Sequence, residues 1–119
     1  MQKRSSRSLE KKLRNNAIKN VKKFLQELCK YIRIEEAYLF GSYVKNTWLK
    51  TSDIDLVVVS PDFKNMKYID RLELIHRVQW RLKLDHYIEV IPLTPEEFKE
   101  KIDKSIVLRD ARKYWIKIR

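Results

Sequence analysis

Glycine is nearly absent from this 119-residue chain: there is one, Gly41, where average usage near 7% would give about eight. A chain that avoids glycine elsewhere and keeps it at one position needs it there, for a positive φ or a close backbone approach. Cysteine is as scarce. A lone Cys29 excludes an internal disulfide framework and fits a reducing compartment. With only two histidines beside it, a zinc finger is excluded as well. No apolar run approaches the roughly 18 residues of a membrane span. The start, MQKRSSRSLEKK, lacks the apolar stretch of a secretory signal. The expectation is a cytoplasmic protein with one domain over residues 8–119, behind a flexible basic terminus over residues 1–7.

Apolar residues make up 44% of the chain, enough for a real core and too many for a disordered basic tail. The net charge of +11 invites a nucleic-acid reading, but its distribution tempers that. Residues 1–33 hold 11 basic and two acidic residues and carry +9. Residues 34–119 hold 16 basic and 14 acidic residues and carry only +2. The basicity belongs to the N-terminal segment.

That segment has apolar residues at Leu9, Leu13, Ala17, Val21, Phe24, Leu25, Leu28 and Ile32, which predicts a helix over 8–32. Residues 37–40 read as a short buried strand running into Gly41, and 43–52 as a helical turn or loop. Ile54-Asp55-Leu56-Val57-Val58-Val59 is a strong strand, closed by Ser60-Pro61-Asp62. A second helix spans about 65–83, then a strand over 87–91 ended by Pro92. Thr94-Pro95-Glu96-Glu97 starts another helix, with a cap, a proline at the first helical position and acids in the first turn. It runs to about 104. Ser105 caps a last helix to about 113, and residues 114–118 alternate weakly. The order predicts an α/β (α+β) domain with one small mixed sheet flanked by helices.

The chemistry concentrates around the glycine. Leu39-Phe40-Gly41-Ser42 ends the first strand in a Gly-Ser turn, and Ser52-Asp53-Ile54-Asp55 opens the second. Alternation puts Asp53 and Asp55 on one strand face. Two carboxylates side by side ahead of an apolar run call for a cation between them. Mg²⁺ takes one or two carboxylates together with phosphate oxygens. The Gly-Ser turn supplies the complement: backbone N–H groups and a hydroxyl for a phosphate. Glu89, inside Tyr87-Ile88-Glu89-Val90-Ile91, is an acid in an apolar strand. If that strand pairs beside 54–59, Glu89 completes a three-carboxylate cluster.

The stretch 39–59, LFGSYVKNTWLKTSDIDLVVV, resembles the signature of the DNA polymerase beta nucleotidyltransferase superfamily, and the short length resembles its minimal nucleotidyltransferase (MNT) branch. The resemblance covers about residues 17–104. It implies a polymerase-beta-type nucleotidyltransferase fold and transfer of a nucleoside monophosphate, AMP from ATP, to an acceptor hydroxyl. Gly41, Ser42, Lys45 and Ser52 would hold the nucleotide. Asp53, Asp55 and Glu89 would hold two Mg²⁺ ions and act in catalysis, with Glu89 helping to deprotonate the acceptor. Relatives of this kind are encoded beside HEPN-domain toxins, so a HEPN-type protein is the implied partner and one of its tyrosines an acceptor; a small molecule is the other acceptor class. Two departures stand out. Asn46 takes the place of a second glycine, and Glu89 that of an aspartate, with Asp85 as its rival.

Around this site, Tyr43, Trp48 and Tyr87 are candidates for stacking on a base, with Lys50 beside Lys45 as a further phosphate contact. Trp80 and Phe98, at helical spacing, read as core. His76 and His86 read as structural or exposed, and Cys29 as a small buried hydrophobe. The competing reading is a non-catalytic module that binds a partner, or nucleic acid, through the basic N-terminal helix. Nucleic acid is not favoured, because no aromatic residues interleave with those charges, and a membrane is not expected. An oligomer, of this chain alone or with a partner, is compatible with the sequence.

Overall fold

The computed structural model describes residues 2–40, 54–84, 87–104 and 116–119, with side chains from residue 15 onward apart from Phe40 and Ile54. Helix α1 spans Gln2–Leu28, strand β1 Glu36–Phe40 and strand β2 Ile54–Val59. A 3₁₀ turn, Pro61–Asn65, leads to helix α2, Tyr68–Leu82. Strand β3 is Ile88–Leu93, helix α3 is Pro95–Lys104 and strand β4 is Ile116–Lys117.

The four strands form one mixed sheet in the order β3-β2-β1-β4. β1 runs antiparallel to both β2 and β4. β2 and β3 are parallel, which requires a crossover; α2 supplies it. Alternation along the strands sorts the side chains onto two faces. Ala37, Leu39, Leu56, Val58, Ile88 and Val90 join the main core with Ala17, Val21, Phe24, Leu25 and Leu28 of α1 and Ile75 and Val78 of α2. On the opposite face, Val57, Val59 and Leu93 pack against Phe98 of α3, with Tyr38, Ile91 and Ile102 at the margin. Tyr38 stacks on Phe98 with ring centroids 5.4 Å apart.

β2 is thus central and covered on both sides over Leu56–Val59, which explains its unbroken apolar run. The cover stops one residue earlier: Asp55 is only partly buried. Among the described residues the second face is covered by the short α3, whose apolar contacts are with Val57, Val59 and Leu93.

The free edge of β3 is closed by two polar side chains of α2. In a parallel ladder, alternate residues turn their peptide groups to the neighbouring strand. Ser60 N–H donates to Leu93 C=O, so Glu89, Ile91 and Leu93 face β2 while Ile88, Val90 and Pro92 face outward. The buried Gln79 amide serves both groups of Ile88: its Nε2 donates to the carbonyl (2.7 Å) and its Oε1 accepts from the N–H (2.9 Å). Arg71, also buried, donates to Pro92 C=O at 3.2 Å and to Met66 C=O at 3.2 Å, and its guanidinium lies 5.5 Å over the Phe63 ring. It completes its set with a 2.7 Å ion pair to Glu97.

Several expectations change here. Pro92 does not end the third strand; it lies within β3, opposite Val58. An outward position on an edge strand needs no N–H donor, so proline is tolerated there. The first helix begins at Gln2 and ends at Leu28, followed by a turn over 29–32. The second helix begins at Tyr68, because Ser60-Pro61 first forms the 3₁₀ turn, capped by Asp62 N–H donating to the Ser60 hydroxyl. Trp80 is not core: it is 83% exposed, whereas Phe98 is 7% exposed. His76 is exposed and Cys29 is partly buried against the main core. The turn over 43–52 and the helix over 105–113 fall outside the described residues.

The Thr94 cap forms as the sequence suggests. Glu97 N–H donates to the Thr94 hydroxyl (3.1 Å), and Thr94 N–H donates back to the Glu97 carboxylate (2.8 Å). Burial opposes the Glu97 charge, but the Thr94 N–H, the Arg71 guanidinium and the Thr94 hydroxyl outweigh it and hold that carboxyl below its ordinary 4.5. A depressed folded-state pKa stabilises above the unfolded value and is lost as pH falls through the folded one. The stability difference between wild type and Glu97→Gln should therefore be full at pH 7 and shrink below about pH 4.5 in urea titrations. In the same assay at pH 7, Phe98→Ala should lose about 3–5 kcal/mol, and Trp80→Ala no more than about 0.5 kcal/mol.

Candidate active site

The open end of the sheet gathers the acidic residues. In the β2–β3 ladder, Asp55 is the direct partner of Glu89. In the β1–β2 ladder, Asp55 is the partner of Phe40, the residue before Gly41. Paired residues in adjacent strands put their side chains on one face, with strands about 4.8 Å apart. Asp55 and Glu89 therefore lie side by side on the face away from α1 and α2. Asp55 is partly buried and Glu89 is exposed.

Two carboxylates side by side on neighbouring strands repel one another, and a cation between them relieves that repulsion. Their oxygens match the preference of a hard divalent ion rather than a thiolate- or imidazole-seeking one. Among the described residues no third Asp, Glu, His or Cys joins the pair in a metal-sized cluster. Asp53, two residues before Asp55, lies outside the described residues, as do Gly41, Ser42, Lys45, Lys50 and Ser52. The chain leaves β1 at Phe40 and enters β2 at Ile54, so both ends of the segment carrying those residues sit at the Asp55–Glu89 end of the sheet.

Of the two candidates for the third acid, Glu89 is in the ladder. Asp85 is outside the described residues, and the strand begins three residues after it. Tyr43, Trp48 and His86 also fall outside. Tyr87 precedes β3 and is exposed; its hydroxyl lies 3.1 Å from His76 Nε2 on α2. The negative field of Glu89 reaches Tyr68 at the start of α2. Burial pushes the Tyr68 phenol up, Arg71 opposes this, and Glu97 and Glu89 add to the rise.

Sequence reasoning missed the polar pair that holds β3. Arg71 and Gln79 interrupt the buried stripe of α2 otherwise formed by Ile75 and Val78. A glutamine and an arginine at helical spacing inside an apolar stripe were the available signal. A groove of about 740 Å³, lined by His76, Gln79, Trp80, Lys83, Leu84 and Tyr87, was also missed. It lies on the α2 side, not on the carboxylate face.

Comparison with known proteins identifies the family and the fold. The sequence pattern of the nucleotidyltransferase domain family matches residues 18–114. No curated protein matches the chain. Among solved structures, a Sulfolobus solfataricus protein assigned as a nucleotidyltransferase is 26% identical, with 76% of this chain and 78% of that one covered and a TM-score of 0.62. A toxin–antitoxin structure with AMP-PNP is 22% identical over 82% of this chain and 71% of that one, at a TM-score of 0.52. A complex of the tri-AMPylated Shewanella oneidensis HEPN toxin with MNT antitoxin is 20% identical over 89% and 71%, at 0.50. The chain belongs to the nucleotidyltransferase domain family, and its four-stranded mixed sheet with flanking helices is the polymerase-beta-type fold of the minimal nucleotidyltransferases. No described helix is long and apolar enough to cross a membrane.

Proposed function

We propose that this nucleotidyltransferase moves AMP from ATP to an acceptor hydroxyl, and that the acceptor is a tyrosine of a HEPN-type partner protein. One observation carries the site: Asp55 and Glu89 are direct neighbours on the sheet face away from α1 and α2, at the end where β1 leads to Gly41-Ser42 in sequence. The structures with AMP-PNP and with an AMPylated HEPN toxin support the nucleotide and the partner.

In this reading Asp53, Asp55 and Glu89 hold divalent metal, with Mg²⁺ as the ion and two sites as the expectation. An ion bound there would supply charge neutralisation for the triphosphate and would make the acceptor hydroxyl easier to ionise. Gly41 N–H and the Ser42 hydroxyl take the phosphates, with Ser52 and Lys45 adding contacts. The acceptor oxygen forms a bond to the α-phosphorus, the bond from that phosphorus to the β-phosphate bridging oxygen breaks, and pyrophosphate leaves. Glu89, the more exposed carboxylate, accepts the hydroxyl proton. The protein's own share is orientation and charge placement. The basic segment 1–33 raises the local concentration of triphosphate at long range.

Incubation with α-labelled ATP, Mg²⁺ and a HEPN-type protein from the neighbouring gene should label a tyrosine of that protein. Asp55→Asn should reduce the labelling at least about a hundredfold, and a chelator should abolish it. Labelling that survives Asp55→Asn would refute the site. Labelling of a small hydroxyl compound in place of the protein would refute the acceptor. A second check needs no turnover: Mn²⁺ should raise the melting temperature of the wild type and leave that of Asp55→Asn/Glu89→Gln unchanged.

A further inference from the structure

We propose that Gln79 is a positioning residue for the metal site: its two-bond clamp on Ile88 fixes the start of β3 and so sets Glu89 beside Asp55. This rests on the reading of Asp55 and Glu89 as metal-holding residues.

Ile88 is the first residue of β3 and Glu89 the second. Strand ends fray, and this one lies on the sheet edge, where only β2 holds it. The Glu89 peptide faces β2; the Ile88 peptide faces outward and has no strand to pair with. Gln79 takes that place. A primary amide offers an acceptor oxygen and an NH₂ donor side by side, so it serves the N–H and the C=O of one strand residue as a neighbouring strand would. Both bonds are short, 2.7 and 2.9 Å, and Gln79 is only 9% exposed. The clamp sits at the site end of the strand. At the other end, Pro92 is held by Arg71 through its carbonyl alone. The residue immediately after the clamped one is the carboxylate that must meet Asp55 within the narrow geometry a divalent ion demands. Groups that orient metal ligands in this way change affinity by about ten- to a hundredfold when removed.

The test uses Gln79→Met, which keeps the volume and removes both bonds, with Mn²⁺ binding followed by calorimetry in the absence of nucleotide. Hydrogen exchange at the Ile88 amide should quicken, and the Mn²⁺ dissociation constant should rise about tenfold or more. Arg71→Met, which removes the hold on the far end of the same strand, is the control for general destabilisation. It should lower the melting temperature and leave Mn²⁺ affinity within twofold of wild type. If Gln79→Met fails to fold, Gln79→Glu carries the same test, since it keeps acceptance from Ile88 N–H and loses donation to the carbonyl. Wild-type Mn²⁺ affinity in the folded Gln79 variant, or an equal loss in Arg71→Met, overturns the proposal. Equal Mn²⁺ binding by wild type and Asp55→Asn, or none by wild type, overturns the metal-site reading and this proposal with it.

Discussion

The parallel pairing of β2 with β3 is the constraint on which the rest of the molecule depends. It aligns Asp55 with Glu89, and it forces a crossover that α2 must make. That crossover leaves β3 at the edge, where its outward peptide groups need partners other than a strand. Buried polar groups left unpaired lose about 1–3 kcal/mol each. Gln79 and Arg71 answer this requirement from within the helix the crossover supplies. The same two residues that look misplaced in the buried stripe of α2 are thus what makes the stripe compatible with an edge strand.

Coverage of the sheet decides where chemistry can occur. One face is sealed by α1 and α2 through a long run of aliphatic contacts. Among the described residues the other is sealed over Val57, Val59 and Leu93, by an α3 helix of ten residues. Asp55 and Glu89 lie beyond those positions, at the starts of β2 and β3. A carboxylate there rests on a rigid strand. The chain's charge has a matching division: the excess of positive charge lies in residues 1–33, and the near-neutral remainder carries the paired acids.

Much of this was legible in the sequence, for local reasons. β2 was readable because Leu56–Val59 is buried on both faces and its side chains say so at each of those positions. The α3 cap was readable because Thr94 and Glu97 act within one turn of chain. The pairing of Glu89 with the strand at 54–59 entered as a condition, and the ladder meets it. What was not legible depends on neighbours distant in sequence. Pro92 stops a strand only if its N–H is needed, and strand order decides that. Trp80 lies on the side of α2 away from Ile75 and Val78, and which side of that helix meets the sheet is decided by packing. Gln79 has a role only once Ile88, nine residues on, arrives beside it.

The sealed margin of β3 also limits how this molecule meets others. A strand from a second protein could add to the sheet there only by displacing Gln79 and Arg71, and it would find no N–H at Pro92. Sheet extension on that side is closed, whether as orderly assembly or as aggregation. A partner approaching from the β3 side must bind through side-chain surfaces, which can be released and rebound without rebuilding the sheet.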